Sequence, residues 1–219
     1  MNIASYIDHS ILRPDSAIAE IKQCCKEALE HSFASVCVSP YFVREVSQAL
    51  EDSRVKVCTV VGFPFGYNAV PAKVEEIKRA LHEGADEIDA VININAIKSQ
   101  NWNYIRSELD TLIMATHLHG KKIKIILETG LLTQEEILKL CDLCNPLLPD
   151  FIKTSTGVNG AGATKEIVAF LKKSIDARIK IKASGGISTL KSAQEMIDAG
   201  ATRIGTSAAI SIMKEDSKK

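Results

Sequence analysis

The stretch S-Y-I-D-H-S-I-L-R-P-D (5–15) decides between two ways of folding an alternating α/β chain. It opens on a short strand, S-Y-I-D, after which a doubly wound dinucleotide-type sheet would carry G-x-G-x-x-G. After Asp8 the chain continues instead as H-S-I-L-R-P-D, without a glycine. Further along, β-branched apolar runs recur at 34–38, 55–62, 86–93, 122–127, 150–154, 178–183 and 202–205. Helical patterns lie between them near 16–31, 40–51, 71–83, 101–119, 133–144, 163–173 and 189–199. Thr133 before Q-E-E and Thr164 before K-E-I are capping signals, while H-E-G-A-D (82–86) and D-A-G-A-T (198–202) end helices on glycine. Eight strands alternating with helices, without hairpin turns, predict a parallel sheet covered by helices. Eight is the number that closes a (β/α)8 barrel, so the expected fold is a single α/β domain, a TIM barrel over residues 1–219 with a flexible tail at its last few residues.

Composition agrees with one ordinary folded domain: 219 residues, 46% hydrophobic and 25% charged. With 27 basic and 27 acidic residues the formal charge is zero, which gives a nucleic acid no electrostatic footprint to follow. The N-terminal M-N-I-A-S-Y-I-D lacks a cationic start and apolar signal core, and no apolar run nears the ~20 residues that span a bilayer. A cytoplasmic protein without a membrane partner is expected. The six cysteines sit mostly in apolar runs, as reduced buried thiols do. Cys141 and Cys144 have zinc-like spacing, but no second pair follows and the segment reads as a helix with both thiols on one face. No metal or cofactor is expected.

In a barrel the functional residues sit where strands end and βα loops begin. Polar residues gather there: Asp8, Cys37 and Ser39, G-F-P-F-G (62–66), Asp89 and Asn93, Glu128, Lys153, Lys182 and Ser207. Strand alternation gives Ile88, Ala90 and Ile92 to the helices and turns Asp89 into the barrel; Ile179, Ile181 and Ala183 likewise send Lys182 inward. The phase of Lys153 is less decisive, because Phe151 shares its face.

Two lysines, Lys153 in F-I-K-T-S-T-G (151–157) and Lys182 in I-K-A-S-G-G (181–186), each sit on an apolar strand followed by glycines. A buried lysine is costly to keep charged. To attack a carbonyl it must lose a proton that about one lysine in a few thousand lacks at pH 7, a shift of roughly three units or about 4 kcal/mol. Desolvation and a neighbouring ammonium supply such a shift. The bland alternatives are a lysine reaching solvent at a strand end, or a pair held by Asp89 and Glu128 as a buried salt network. On the functional reading, Asp89 and Lys182 relay protons, and Asp8 supports them or merely caps. Cys37 reads as a packed thiol lining the site, since no histidine pairs with it.

Three segments offer backbone N–H groups to phosphate: T-G-V-N-G-A-G-A-T (156–164), G-G-I-S (185–188) and G-T-S (205–207), the last opening a short final helix.

At these residues the chain resembles the deoxyribose-phosphate aldolases, class I aldolases. The resemblance runs in order through Y-I-D-H-S-I-L-R-P (6–14), V-C-V-S-P (36–40), V-V-G-F-P-F-G (60–66), A-D-E-I-D-A-V-I-N-I (85–94) and L-E-T-G-L-L-T (127–133). It continues through F-I-K-T-S-T-G, G-A-T (162–164), I-K-A-S-G-G-I (181–187) and A-G-A-T-R-I-G-T-S (199–207). It implies reversible cleavage of 2-deoxy-D-ribose 5-phosphate to glyceraldehyde 3-phosphate and acetaldehyde, without a metal. It implies Lys153 as the Schiff-base lysine, with Asp89 and Lys182 as its catalytic partners. It places Asp8, Cys37, Thr156, Gly157, Gly185, Gly186 and Ser207 in the substrate site. A homo-oligomer, dimer or tetramer, is expected. The chain departs from family habit at Ala208, where some relatives carry a second serine, at V-N-G-A-G (158–162), and in lacking a terminal tyrosine. The rival readings are a Schiff-base barrel lyase for another short sugar phosphate, a barrel that binds a phosphorylated ligand without turnover, and a metal-dependent aldolase.

Overall fold

A computed structural model describes residues 2–217. Eight parallel strands close into a barrel in sequence order: β1 (Ile7–Ile11), β2 (Ser35–Val38), β3 (Lys56–Val61), β4 (Glu87–Val91), β5 (Lys122–Ile126), β6 (Phe151–Lys153), β7 (Lys180–Ser184) and β8 (Arg203–Thr206). The helices are α1 (Ile18–His31), α2 (Val43–Ala49), α3 (Val70–His82), α4 (Ile94–Lys98), α5 (Trp102–His117), α6 (Gln134–Leu147), α7 (Lys165–Ser174), α8 (Leu190–Asp198) and α9 (Ala209–Asp216).

The expected starts and stops act as capping chemistry. The Thr133 side chain accepts from the Glu136 N–H at 3.2 Å, and Glu136 returns a carboxylate to the Thr133 N–H at 2.8 Å, closing a capping box on α6. Thr164 caps α7 through the Ile167 N–H. Cys141 and Cys144 are both buried on the inner face of α6. Between sheet and helices lies the apolar core: Ile88, Ala90, Ile125, Ile152, Ile181 and Ala183 alternate along the strands and are buried against the helix layer. Each such large side chain contributes about 2 kcal/mol by leaving water.

Three departures from the sequence expectation have a local cause. The first strand begins at Ile7 rather than Ser5, because Asn2 caps a 3-10 turn over Ile3–Tyr6. Strand four stops at Val91: the Asn93 side chain accepts from the Ala96 N–H and starts α4, a short helix the apolar periodicity did not suggest. The segment after β2 begins as a 3-10 turn, Pro40–Phe42, before α2. Of the expected flexible tail, α9 takes residues as far as Asp216, and residues 218–219 lie outside the described residues.

Inside the barrel the alternation places charge where most such barrels stack aliphatic side chains. Asp8, Glu87, Asp89, Lys124, Lys153 and Lys182 are all buried. Buried charges persist only when paired, so this interior must be read as one network.

Candidate active site

Asp89, on β4, stands at the centre. Its Oδ2 accepts from Lys153 Nζ at 2.9 Å and from Lys182 Nζ at 2.7 Å; its Oδ1 accepts from Lys124 Nζ at 2.8 Å and from the Cys58 thiol at 3.2 Å. Strand register explains the convergence. Asp89 is the Cα partner of Lys124 on β5, and Lys153 is the partner of Lys182 on β7, so pairs side by side project into the same layer. Below them, Asp8 lies 2.5 Å from Lys182 Nζ through Oδ2 and 2.6 Å from Arg203 Nη1 through Oδ1. Arg203 also holds Glu87 at 2.9 and 3.2 Å, and Lys124 reaches Glu87 at 2.6 Å. The Phe151 ring shares the interior with Lys153, its centroid 5.3 Å from the Arg203 guanidinium.

Burial pushes the Asp89 carboxyl up, but Lys124, Lys153 and Lys182 outweigh it and hold it well below the usual carboxylate range. Asp8 behaves likewise: burial is opposed by Lys182, Arg203 and Lys124, and the carboxyl ends far down. Burial alone would drive Lys182 towards the free amine, yet Asp8 and Asp89 more than offset it and raise its pKa above the lysine norm. Lys124 is raised for the same reason, with Asp89 the largest offset to burial. Four basic heads therefore face three carboxylates. Among the three lysines, Lys153 has a single acid contact, on an oxygen it shares.

Position separates the lysines further. Above the network opens a cavity of about 320 Å³, lined by Lys153 but not by Lys182, Lys124, Asp8 or Asp89. Its walls are the ends of β6, β7 and β8 and the loops after them, with Ser10 of β1 and Leu12 and Arg13 just beyond it. Thr156, Gly157, Gly185, Gly186 and Ser207 all line it, as the sequence predicts for a substrate wall. Cys37 does not: it is fully buried beside Cys58 and Val60. A hydrogen bond with Cys58 lowers the Cys37 thiol, and burial raises Cys58 well above its ordinary value. Asp8 likewise lies beneath the cavity floor.

Two glycines make this geometry possible through close approach. A Cβ on Gly162 would lie 2.1 Å from the Gly185 carbonyl oxygen, so the β6 loop rests directly on the β7 loop. A Cβ on Gly205 would lie 2.9 Å from Lys182 Cε, so its absence gives the lysine room to reach Asp8.

Glu128, which the sequence offered as a salt partner of the lysines, does another job. From a left-handed backbone position (φ 46°) it accepts from the Thr156 hydroxyl and backbone N–H, fixing the first turn of the β6 loop. Burial raises its pKa, and the Thr156 hydrogen bonds offset part of that. The Thr156 hydroxyl in turn accepts from Val158 and Asn159 N–H groups at 3.1 and 3.3 Å.

Sequence reasoning missed Lys124 and Arg203. The signal was present: in K-I-K-I-I (122–126), Lys124 has the phase opposite to Ile123 and Ile125, the same alternation that turned Asp89 inward. Two trios of possible metal ligands, Cys37–Cys58–Asp89 and Asp8–Cys58–Glu87, also converge here. The Lys124 ammonium already occupies the cation position between them, 3.3 Å from Cys58 Sγ and within 2.8 Å of Glu87 and Asp89 oxygens.

Against known proteins, the sequence model of the DeoC/LacD family aldolases matches residues 3–212. The chain is 46% identical to the deoxyribose-phosphate aldolase of Caldanaerobacter subterraneus subsp. tengcongensis, over 100% of this chain and 95% of that one. It is 45% identical to the deoxyribose-phosphate aldolase of Lactococcus lactis subsp. lactis, over 98% and 96%. Among solved structures, the aldolase QR15 superposes with a TM-score of 0.93 at 42% identity, covering 99% of this chain and 96% of that one. The tetrameric deoxyribose phosphate aldolase of Aeropyrum pernix superposes with a TM-score of 0.91 at 29% identity, covering 98% and 91%.

Proposed function

The chain belongs to the DeoC/LacD family of aldolases, and from that premise we propose that it cleaves 2-deoxy-D-ribose 5-phosphate reversibly to glyceraldehyde 3-phosphate and acetaldehyde through a Schiff base on Lys153. The observation that carries the reading is the Lys153–Asp89–Lys182 contact at the floor of a cavity whose walls are phosphate-type loops.

The chemistry grows out of the contacts. Lys153 is the amine at the cavity wall, and it has one carboxylate contact where Lys124 and Lys182 have more. As free base it adds to the aldehyde carbon of the open-chain sugar, and loss of water leaves a protonated imine. That cation accepts the electron pair of the breaking C–C bond, the task a Lewis-acidic metal performs in the alternative mechanism. The proton of the departing hydroxyl passes to the Asp89 carboxylate, which Lys182 holds in place, glyceraldehyde 3-phosphate leaves, and the enamine takes that proton back. Hydrolysis of the resulting imine frees acetaldehyde and restores Lys153. Lys182 and Lys124, anchored as cations by their carboxylates, keep the local field positive through the cycle. Asp8 supports the reaction from below by holding Lys182. Gly157, Gly185, Gly186 and Ser207 present N–H and O–H donors to the sugar phosphate, Thr156, whose own donors go to Glu128, shapes the same wall, and the start of α9 adjoins it.

Borohydride reduction in the presence of 2-deoxyribose 5-phosphate, read by peptide mass spectrometry, tests the proposal. One reduced adduct is expected on the peptide carrying Lys153 and none in Lys153→Ala; an adduct on another lysine, or none, sinks it. Chelator treatment leaves activity unchanged on this reading, whereas the metal-dependent alternative loses it.

A homo-oligomer, dimer or tetramer, completes the proposal, a tetramer being described for the Aeropyrum pernix relative; light scattering reads the mass directly. A cytoplasmic location fits six cysteines that are all buried free thiols. No helix among the described residues is long and apolar enough to cross a membrane.

A further inference from the structure

A phosphate monoester brings close to two negative charges at neutral pH, and hydrogen bonds to ionised groups are about twice as strong as neutral ones. The loops offered to that charge are poor in cations. Val158 and Ser188 stand where the β6 and β7 loops face the cavity, Ala208 follows Ser207, and V-N-G-A-G lacks hydroxyl side chains. Among the described residues that line the cavity, Lys153 and Arg13 alone carry positive charge. Lys153 is engaged with Asp89 at the floor, and on the proposed mechanism it becomes the imine. That leaves Arg13.

Arg13 follows β1, the strand beside β8, and lines the cavity together with Ser10 and Leu12. Its side chain is 62% exposed at the cavity mouth, with two acid partners beside it. Its Nη2 donates to Glu20 Oε1 at 2.5 Å, and its Nε lies 3.4 Å from Asp15. Glu20 is fixed in turn: its other oxygen accepts from the Ala17 N–H at 2.9 Å, at the start of α1. Nη2 is thus tethered to the first turn of α1 and Nε sits beside Asp15 in the loop before it, while Nη1 makes no hydrogen bond among the described residues. A planar fork held on one side with its remaining donors free is arranged to receive a tetrahedral oxyanion.

We infer that Arg13, positioned by Glu20, is the cationic partner of the substrate's phosphate and sets the preference of this site for phosphorylated over unphosphorylated hydroxyaldehydes. The inference rests on the sugar-phosphate reading above and adds the residue that supplies the charge the loops lack. Glu20 acts through Arg13 and is a positioning residue.

The test uses the whole chain and two readouts. Inorganic phosphate is titrated into the wild type, Arg13→Gln, Arg13→Lys and Glu20→Gln, following binding by 31P line broadening and calorimetry. In parallel, kcat and KM are measured on 2-deoxyribose 5-phosphate and on 2-deoxyribose. Arg13→Gln is expected to weaken phosphate binding about tenfold and to lower the phosphorylated-to-unphosphorylated ratio of kcat/KM by a similar factor, through KM rather than kcat. Arg13→Lys is expected to recover part of this, and Glu20→Gln to lose about threefold. Unchanged phosphate binding in Arg13→Gln overturns the inference. An equal loss on both sugars also overturns it, because that is the mark of a structural role. If the wild type cleaves neither sugar, the functional reading has failed, and the phosphate titration still decides the role of Arg13.

Discussion

Lys153 and Lys182 are Cα partners on neighbouring strands, and both donate to the same oxygen of Asp89, yet only Lys153 reaches the cavity. Equal chemistry at equal depth is thereby divided into two tasks. Lys182 carries a second carboxylate, Asp8, which holds it as an ammonium; Lys153 has none of its own and faces the cavity.

Replacing Lys153 with alanine removes the proposed nucleophile without emptying the fold of its remaining ion pairs. Activity is expected to fall about a thousandfold or more, with the barrel intact by circular dichroism. Lys182→Met should also lose activity while still forming the reducible adduct, since the amine that adds to the aldehyde remains. Loss of the adduct in Lys182→Met alone would exchange the roles assigned to the two lysines.

Asp89→Asn takes away the one group that touches three lysines. Breaking a buried ion pair from one side costs about 3–5 kcal/mol, and loss of a proton-relay group costs roughly 10²–10⁴ in rate. The denaturation midpoint in urea and the single-turnover rate should both drop. A variant of wild-type stability would mean that the network is held mainly by Asp8 and Glu87.

The pH dependence of this network has a defined sign. The lowered carboxyls of Asp8 and Asp89 contribute stability that is present above their unfolded values, near 3.9, and lost only as pH falls through the still lower folded ones. The raised Lys182 contributes stability that is present below about 10.4 and lost as pH rises through its higher folded value. The stability difference between wild type and Asp8→Asn should therefore stay flat from about pH 5 to pH 9 and shrink only in strong acid or strong alkali. A slope across neutral pH, measured by chemical denaturation, would contradict the pairing.

Away from the chemistry, Lys73 and Glu108 form a fully buried pair at 2.6 Å between α3 and α5. Lys73 also donates to the Gly66 and Val91 carbonyls at 2.6 and 2.7 Å, and Glu108 accepts from the Asn93 N–H at 2.9 Å. The pair thus ties the loop after β3 to the end of β4. Glu108→Gln should cost about 3–5 kcal/mol, visible as a lower thermal midpoint; a change below about 1 kcal/mol would show that the backbone bonds of Lys73 suffice.

Gly162→Ala tests the loop stacking. Its new Cβ would enter the Gly185 carbonyl, so the β7 loop must shift. KM for the phosphorylated substrate should rise about tenfold, with kcat less affected. Alanine that leaves KM untouched would show that the two loops need not stay in contact for binding.

The chain's own order of residues determined the barrel and its rim. Alternation in D-E-I-D-A-V-I-N and R-I-K-I-K-A is a local property of extended backbone, so the inward faces of Asp89 and Lys182 were readable without a fold. The glycine loops were readable for the same reason: turn chemistry acts over a few residues. Tertiary structure alone decided which charges meet. Asp8 and Arg203 are 195 residues apart and touch because β1 closes on β8. Alternation in K-I-K-I-I could turn Lys124 inward, but it becomes a partner of Asp89 only when β5 pairs with β4 in that register. Glu128 passed for a partner of the lysines until its left-handed backbone turned it to Thr156. Pairing between strands is fixed by closure, a property of all eight together, and no single segment contains it.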